Sequence, residues 1–360
     1  MQGITRPTLL VNEKIARKNI EDMAAKARAN GIPLRPHFKT HVSLEIGEWF
    51  RDAGVTTCTV SSIEMAEFFS NGGWDDITIA FPCNRLEIDS INKLAAKGAL
   101  NLVVEDTDTL EFLSKNLTSP VNYYIKLDVG THRTGLPVTT DFSNLIIQHP
   151  KLQFTGFLAH AGHAYRSKSE QEIREVYSEV SSQLKVLKEK HPKAIISYGD
   201  TPTCSIIDQF ENIDELRAGN FVFYDWMQKE ITSCSFEQIA VCMAVPVVAK
   251  HADRKEIVIH GGAVHFSKDF IKNEEGNPIY GALVQLTENG WKLMKNTHFV
   301  KKLSQEHGII SVTDEEDFNQ ISVGQLLGII PIHSCLAANL MGKYQTVENN
   351  VVLHMNWNRE

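Results

Sequence analysis

Short apolar runs alternate with longer amphipathic stretches between about residues 10 and 235 of this 360-residue chain. The apolar runs hold β-branched residues and are bounded by Gly, Pro or charged residues, which is typical of buried parallel strands. The stretch 171–190 places Ile173, Val180 and Leu187 on one helical face. A Gly-rich dinucleotide-binding loop is not found, so the alternation predicts a closed (β/α)8 barrel of the TIM type. We predict its strands at 56–60, 77–81, 101–104, 123–127, 154–159 and 194–197, and its first helix at 12–30.

The pattern changes after about residue 236, where strand-like runs follow one another and helical periodicity is weak. Polar turns join these runs, as in antiparallel sheets and small barrels. We therefore predict an α/β fold in two parts. A barrel takes up residues 10–235, and an antiparallel β domain takes up residues 236–360 together with 1–9. The predicted strands of the β domain are 240–249, 256–259, 282–286, 309–312, 325–332 and 351–355.

The charge balance and the cysteines exclude several classes of protein. The chain has 36 Lys and Arg against 44 Asp and Glu, a formal net charge of −8 and a pI near 6.0. Such a surface does not attract nucleic acid or an anionic membrane. The apolar runs are shorter than the roughly 20 residues that span lipid, and the N-terminus does not resemble a secretory signal. Six cysteines without a CxxC pair fit a reduced compartment, so we predict a cytoplasmic protein without a nucleic-acid or membrane partner.

Lys39 lies in the motif Arg-Pro-His-Phe-Lys-Thr-His at residues 35–41. The motif follows the first helix, so we expect it to form the first barrel strand and its carboxyl end, where barrel enzymes assemble their active sites. Burying a lysine there costs several kcal/mol unless it is paired or loses its proton. A lowered pKa would make its amine a nucleophile toward carbonyl groups. From the local pattern alone, a surface lysine in a basic loop remains an open interpretation.

Two loops after late barrel strands are candidates to bind a phosphate group. Residues 199–203 (Gly-Asp-Thr-Pro-Thr) combine small residues with two hydroxyls, and Gly219-Asn220 follows the next predicted strand. Backbone N–H groups at such turns bind phosphate. Either loop alone is typical of an ordinary βα connection, but together they fit the phosphate site of a barrel enzyme.

His333 and Cys335 are separated by one residue after the apolar run 326–332. Residues i and i+2 of a strand point to one face, so the imidazole and the thiolate could share a metal ion. Nitrogen with sulfur favours Zn²⁺ over Mg²⁺ or Ca²⁺, and two protein ligands leave positions for water and substrate. The same spacing also occurs by chance.

The motif at 35–41 resembles the pyridoxal-phosphate lysine motif of the D-serine dehydratase and D-threonine aldolase family. These fold-type III enzymes are related to alanine racemase and have an N-terminal barrel and a C-terminal β domain. The chain departs from the family pattern at Phe221, where Tyr is frequent, at Gln305, where an acidic residue is common, and at His260, which stands in place of Asp. The other matching segments are 5–8, 126–135, 162–165, 199–203, 216–221 and 333–335.

The resemblance implies a cofactor site and a metal site. It implies that Lys39 binds pyridoxal 5′-phosphate covalently, and that His333 and Cys335 hold Zn²⁺, with Mn²⁺ as an alternative. Glu306 and His307 either orient a metal-bound water or substrate, or lie on a solvated turn. The remaining residues implied to contact the cofactor are Arg133 near the ring, Tyr165, and, around the phosphate, Thr201 or Thr203, Gly219 and Asn220. A loop ion pair for Arg133 and a core position for Tyr165 are the alternatives.

The implied function is a pyridoxal-phosphate-dependent lyase for β-hydroxy D-amino acids, converting D-serine to pyruvate and ammonia. Lys39 would remove the α-proton, and zinc on His333 and Cys335 would act as a Lewis acid on the β-hydroxyl. The first alternative is a D-threonine aldolase, which releases glycine and an aldehyde. An amino-acid racemase is third because it needs no metal, and a non-catalytic cofactor carrier is disfavoured by the second domain. The resemblance also implies a homodimer.

Overall fold

The computed structural model describes residues 3–273 and 275–358. Within them the chain forms a parallel β/α barrel followed by an antiparallel β domain, so the predicted fold class is confirmed. Both parts share one continuous hydrophobic core, which extends from barrel residues such as Phe157 to β-domain residues such as Ile329. No helix in this described part of the chain has the length and the apolar character needed to cross a membrane.

The barrel strands run parallel and pair in chain order. The short segment 34–37 closes the barrel, because Leu34 bridges to Leu216 on one side and His37 bridges to Thr59 on the other. Backbone hydrogen bonds of 2.8 to 3.0 Å reinforce both bridges. The remaining strands are Cys58–Val60, Asp76–Pro82, Ala99–Val104, Val121–Asp128, Leu152–Ala159, Ile195–Tyr198 and Glu215–Leu216, with Leu136–Pro137 added beside Val121–Asp128.

Polar residues set where the barrel helices begin. Asn12, Asp106 and Ser169 each accept a hydrogen bond from the backbone N–H three residues later, which satisfies a donor that the first helical turn leaves unpaired. The α-helices are Glu13–Ala29, Leu44–Asp52, Ile63–Asn71, Ile88–Ala95, Thr107–Asn116, Glu170–Lys190, Thr201–Ile206 and Trp226–Glu230. Short 3-10 helices lie at Phe38–Thr40, Arg85–Glu87, Gly162–Arg166, Asn220–Val222 and Phe236–Gln238.

The β domain is a small barrel of antiparallel strands. Val241–His251 pairs with Glu256–His260 on one side and with Leu326–Pro331 on the other, and the pairing continues until the ring closes. Thr8–Val11 also pairs with Val241–His251, so the chain passes through this sheet before it enters the first barrel helix. The other strands are Ile271–Lys272, Pro278–Ile279, Gly281–Thr287, Gly290–Leu293, Phe299–Leu303, His307–Ser311, Lys343–Thr346 and Val351–Leu353.

Short helices interrupt the β domain where the sequence predicted only strands and turns. The apolar run 325–332 is a strand only as far as Pro331, and the helix Ser334–Met341 follows it. Gly342 ends that helix with a φ of 66°, a conformation that favours glycine. The helix packs against the turn Phe38–Thr40, which joins the two parts of the chain at the barrel mouth. The other short helices are Ala263–Phe266, Glu315–Gln320 and the 3-10 helix Met355–Asn358.

Candidate active site

Most of the predicted cofactor residues lie in loops that follow barrel strands. Lys39, Tyr165, Thr201 and Gly219 each come after a different strand. Because parallel strands all end at the same face of the barrel, these residues meet at one mouth. The structure therefore brings together residues that are far apart in the sequence.

Lys39 lies on the single 3-10 turn Phe38–Thr40, which its neighbours hold in place. Phe38 and Thr40 are fully buried, and the Phe38 ring packs edge-on against Trp74 with ring centroids 4.8 Å apart. Lys39 itself is exposed at the barrel mouth. The anchored neighbours thus present the lysine to the space where a cofactor would bind.

Two histidines, His37 and His160, interact electrostatically with Lys39. Nδ1 of His160 donates to the carbonyl oxygen of Gly199 at 2.6 Å, which leaves Nε2 of that ring as an acceptor. Burial lowers the pKa of His37 and of His160 well below the usual value, and the positive charge of Lys39 lowers both further. Both imidazole rings are therefore neutral at neutral pH.

Thr201 and Thr203 differ in what their hydroxyls contact. The N–H and the hydroxyl of Thr203 donate to Asp200 at 2.8 and 2.7 Å, and the Tyr198 hydroxyl lies 2.8 Å from the same threonine oxygen. The Thr201 Oγ1 atom is buried and makes no hydrogen bond of good geometry with any described residue. A buried hydroxyl without a partner is costly. Thr201 is therefore the hydroxyl that fits a phosphate oxygen, whereas Thr203 stabilises the helix start.

Tyr165 lies next to Thr201 in space. Its hydroxyl oxygen accepts the Thr201 N–H at 3.2 Å, so its own proton can be donated to an anion. Burial raises the pKa of Tyr165, which keeps the hydroxyl protonated at neutral pH. These two residues together offer hydrogen-bond donors suited to a phosphate group.

Gly219 and Asn220 have different surroundings. A Cβ atom at Gly219 would lie 2.5 Å from the carbonyl oxygen of His37, so glycine lets this loop approach the lysine segment closely. The side-chain amide of Asn220 donates to Asp225 at 2.8 Å and to Ser334 at 2.9 Å, which directs it toward the metal pair. A phosphate contact from the Asn220 backbone stays a prediction.

Two arginines stand at the barrel mouth, and the sequence analysis identified only Arg133. Arg133 is exposed in the loop after Val121–Asp128. Arg217 is buried after the last barrel strand, where it donates to Ser197 Oγ and to the Ala159 carbonyl, both at 2.6 Å. Burial lowers the pKa of Arg217 to about 10. The signal for Arg217 was its position in the segment 216–221, which was already matched to the family.

His333 and Cys335 do not share a strand, so the strand spacing used to pair them was wrong. The strand ends at Pro331, His333 is the residue just before the helix Ser334–Met341, and Cys335 is the second residue of that helix. The two residues still lie two positions apart at the start of the helix, and each shifts the pKa of the other. The pair also reaches the lysine turn of its own chain, because Cys335 Sγ lies 3.3 Å from Thr40 Oγ1.

The surroundings of the pair fit a metal ion. Burial alone raises the pKa of Cys335, but the charge of His333 and their hydrogen bond lower it to about 7, which favours a thiolate. Nδ1 of His333 lies 2.9 Å from Asp269 Oδ2, so Nε2 is the nitrogen that would bind a metal, and the metal would displace the second proton of the charged imidazole. A thiolate together with a carboxylate-oriented imidazole is a donor set that suits zinc.

A second group of potential metal ligands lies in the β domain. Glu306 Oε2 is 3.6 Å from His260 Nε2 and 3.9 Å from His265 Nε2. His265 Nδ1 accepts the Gly262 N–H at 3.1 Å, so the neutral ring carries its proton on Nε2 and directs it toward Glu306. This tautomer offers no lone pair at Nε2, and we assign no metal here. His265 had no predicted role from the sequence, and His307 is exposed opposite His260.

The lysine-bearing barrel and the β barrel behind it define a barrel enzyme of the alanine-racemase-like class. The chain belongs to the family described as "Alanine racemase, N-terminal domain", whose model matches residues 11–225. Residues 240–347 match the model described as "Putative serine dehydratase domain". The predicted family relationship is thereby confirmed.

Similar proteins cover both parts of the chain. D-serine dehydratase from Dictyostelium discoideum is 27% identical over 97% of this chain and 95% of that protein. D-threo-3-hydroxyaspartate dehydratase from Delftia sp. is 25% identical over 95% of this chain and 93% of that protein. Its solved structure has a TM-score of 0.86 at 22% identity, covering 98% of this chain and 97% of that one, and supports the fold. 3-Hydroxy-D-aspartate aldolase from Paracoccus denitrificans is 22% identical over 97% and 90% of the two chains.

Proposed function

We propose that this protein is a pyridoxal-phosphate-dependent lyase that dehydrates a β-hydroxy D-amino acid, with D-serine as the substrate. The observation that carries the proposal is the 3.3 Å contact between Cys335 Sγ and Thr40 Oγ1, next in sequence to Lys39. Dehydration requires a group that accepts electrons at Cα and another that activates the β-hydroxyl. A candidate cofactor lysine beside a candidate metal ligand meets both requirements. The two dehydratases among the relatives support the same chemistry.

Lys39 would bind the cofactor through its ε-amine, and Thr201, Tyr165 and the Gly219 loop would surround the phosphate. When bound, pyridoxal phosphate supplies an electron sink for the bond broken at Cα. The Lys39 amine, once free of the cofactor, would be placed to accept the α-proton of the substrate. Its exposure at the mouth and the two neutral histidines beside it fit this role.

His333 Nε2 and Cys335 Sγ would hold the metal, and Zn²⁺ is the ion we propose, with Mn²⁺ as the alternative. A bound ion supplies a Lewis acid that makes the β-hydroxyl a better leaving group. Asp269 would hold the proton of His333 at Nδ1 and so keep Nε2 available. Loss of the α-proton and the β-hydroxyl from D-serine, followed by hydrolysis, gives pyruvate and ammonia.

An aldolase is the second candidate function, which the 3-hydroxy-D-aspartate aldolase among the relatives favours. It would use the same lysine and metal pair but break the Cα–Cβ bond. The β-hydroxyl would then lose its proton instead of leaving, and glycine and an aldehyde would be released. Racemisation is the third candidate. Exchanging the α-proton needs no metal, so a racemase would leave the pair of His333 and Cys335 without a role.

We also propose that the protein is a cytoplasmic homodimer. Leu336 and Leu340 lie one helical turn apart on the helix that carries Cys335, and they are 37% and 45% exposed. Apolar side chains exposed at this spacing fit a contact between subunits close to the site. Light scattering on the purified protein tests this, and a monomer at micromolar concentration would contradict it.

The deciding experiment gives D-serine and D-threonine to protein reconstituted with pyridoxal phosphate and Zn²⁺, and measures 2-oxo acid and glycine separately. We expect 2-oxo acid and ammonia from D-serine. Lys39→Ala should lose both turnover and the absorbance band of the bound cofactor. Lys115→Ala, at a surface lysine paired with Glu111, should keep both.

Two outcomes would count against this assignment. Glycine from D-threonine without any 2-oxo acid from either substrate would replace the dehydratase with the aldolase. A wild-type protein that shows no cofactor absorbance would overturn the proposed function as a whole.

A further inference from the structure

We propose that Asp225 is a positioning residue that holds the metal pair against the lysine turn. This inference rests on the proposed function, because it concerns how the same site is assembled. Asp225 follows the Gly219 loop and lies outside every segment to which the sequence analysis gave a role. Its carboxylate hydrogen-bonds to Ser334, which lies between His333 and Cys335, so it acts through the residues that it binds.

Asp225 is 1% exposed and uses both oxygens of its carboxylate. Oδ2 accepts the Asn220 amide at 2.8 Å, the Ser334 N–H at 2.9 Å and the Ser334 hydroxyl at 3.2 Å. Oδ1 accepts the Gln228 N–H at 3.0 Å and so caps the short helix Trp226–Glu230. A single buried oxygen therefore gathers three donors from two separate parts of the chain.

Those donors belong to the metal pair and to the barrel mouth. Ser334 is the residue between His333 and Cys335, so fixing its backbone fixes the spacing of the two candidate ligands. Asn220 comes from the barrel loop, and its amide also lies 3.5 Å from Cys335 Sγ. Asp225 thus joins the loop after the last barrel strand to the start of the β-domain helix.

The charge of Asp225 suits this location as well as its geometry does. A divalent ion bound by one thiolate and one neutral imidazole keeps a net positive charge in a largely buried site. Carboxylates that bond to groups around a metal offset such charge, and Asp269 does so at the more exposed side of His333. On the buried side Asp225 can supply the corresponding negative charge, because burial raises its pKa but the donors on its oxygens favour the ionised form.

The backbone before Asp225 is strained, which indicates that its position is strongly determined. Tyr224 has a φ of 49°, in the left-handed region that non-glycine residues seldom adopt. A hydrogen bond of 2.7 Å from its N–H to the Asn220 carbonyl holds this conformation, and its hydroxyl lies 3.0 Å from Ser205 Oγ. The next side chain in the sequence is that of Asp225, which bonds to Ser334.

Replacing Asp225 with Asn tests the role, because neither orientation of the amide satisfies the site. If the amide NH₂ takes the place of Oδ2, it faces the donors of Asn220 and Ser334. If the amide is turned, the NH₂ faces the Gln228 N–H instead. Donor therefore meets donor in both cases, while the volume of the side chain hardly changes.

The experiment measures Zn²⁺ affinity by competition with a chelator, and the thiolate-to-metal absorption of the Co²⁺-substituted protein. We expect D225N to weaken Zn²⁺ binding about 10-fold or more and to shift the Co²⁺ absorption. S334A, which removes one of the three donors to Oδ2, should have a smaller effect of about 3-fold. The matched control is D106N, the same change at the cap of the helix Thr107–Asn116, which should bind Zn²⁺ like the wild type.

The possible failures are distinguishable. A folded D225N that binds Zn²⁺ within 2-fold of the wild type would overturn the inference and leave the proposed function intact. If D225N does not fold, the Zn²⁺ affinity of S334A is the deciding measurement. A wild-type Zn²⁺ affinity in S334A would overturn the inference. A wild-type protein that binds cofactor but no metal would overturn the metal assignment of the proposed function, and this inference with it.

Discussion

Nδ1 of His333 lies 2.9 Å from Oδ2 of Asp269, a residue that follows the short helix Ala263–Phe266. The hydrogen bond to His333 lowers the pKa of Asp269, so this carboxylate is ionised at neutral pH. An ionised acceptor keeps one imidazole proton on Nδ1, so a metal would displace the proton of Nε2 and bind there. The relationship therefore determines which nitrogen a metal would meet.

Asp269→Asn should weaken metal binding 10- to 100-fold, because an amide fixes the imidazole tautomer less strongly than a carboxylate does. Chelator competition measures this effect without depending on turnover. Asp253→Asn removes a carboxylate that pairs only with the neighbouring Arg254 at the surface, and it should change nothing. Equal metal affinity in the two variants would show that Asp269 does not orient the ligand.

Thr201 and Thr203 should respond differently to loss of the hydroxyl. Thr201→Ala should weaken cofactor binding about 10-fold with little loss of stability, since its Oγ1 makes no good hydrogen bond within the described residues. Thr203→Ala should instead lower the free energy of unfolding by about 1 kcal/mol, because its hydroxyl bonds to Asp200. Cofactor titration and urea denaturation of both variants test the pair. The reverse pattern would assign the phosphate to Thr203.

Gly219→Ala should impair cofactor binding through steric pressure on the lysine segment. The added Cβ would lie 2.5 Å from the His37 carbonyl oxygen, so the loop or the segment before Lys39 must move. Gly324→Ala is the control, since it adds a methyl group in open space at a φ of 87° and strains only the backbone. Absorbance titration with pyridoxal phosphate compares the two variants. Similar cofactor affinity in both would contradict the close approach.

Glu215 should matter for stability. It accepts a hydrogen bond from Arg35 at 2.6 Å and another from Ser197 at 2.6 Å inside the barrel, where Arg35 is only 7% exposed. Glu215→Leu leaves that arginine partly unpaired, and we expect a loss of about 3 kcal/mol in the free energy of unfolding. Urea denaturation of the variant measures this change in the free energy of unfolding. Glu111→Gln, at an exposed ion pair, should show no measurable change, and a similar result for Glu215 would refute the prediction.

The features that were predictable from the sequence are those encoded locally. Alternating periodicity identifies the barrel because each strand and helix carries its own pattern, and the motif around Lys39 is continuous in sequence. The helix Ser334–Met341 was missed because a short apolar run has the same composition in a buried strand and in a buried helix. Its start was hidden as well, since His333 is not a typical helix cap.

The supporting residues of the site could not be predicted, because tertiary contacts define them. Arg217, Asp225 and Asp269 are ordinary charged residues in the sequence, and only the fold shows what each one binds. The role of Asn220 changed for the same reason. A resemblance could place it near the cofactor, but its amide contacts depend on a helix that lies more than a hundred residues later.

The seam that closes the barrel sets the order in which the protein can be completed during synthesis. The segment before Lys39 is held by a bridge between Leu34 and Leu216, from opposite ends of the barrel sequence. The ribosome must therefore synthesise nearly the whole barrel before the segment of Lys39 can adopt its native position. It must then extend the chain as far as Cys335 before the metal pair reaches Thr40. Until that point the active site of the nascent chain is incomplete. The lysine segment is synthesised early, but the site that it belongs to is among the last parts of the protein to form.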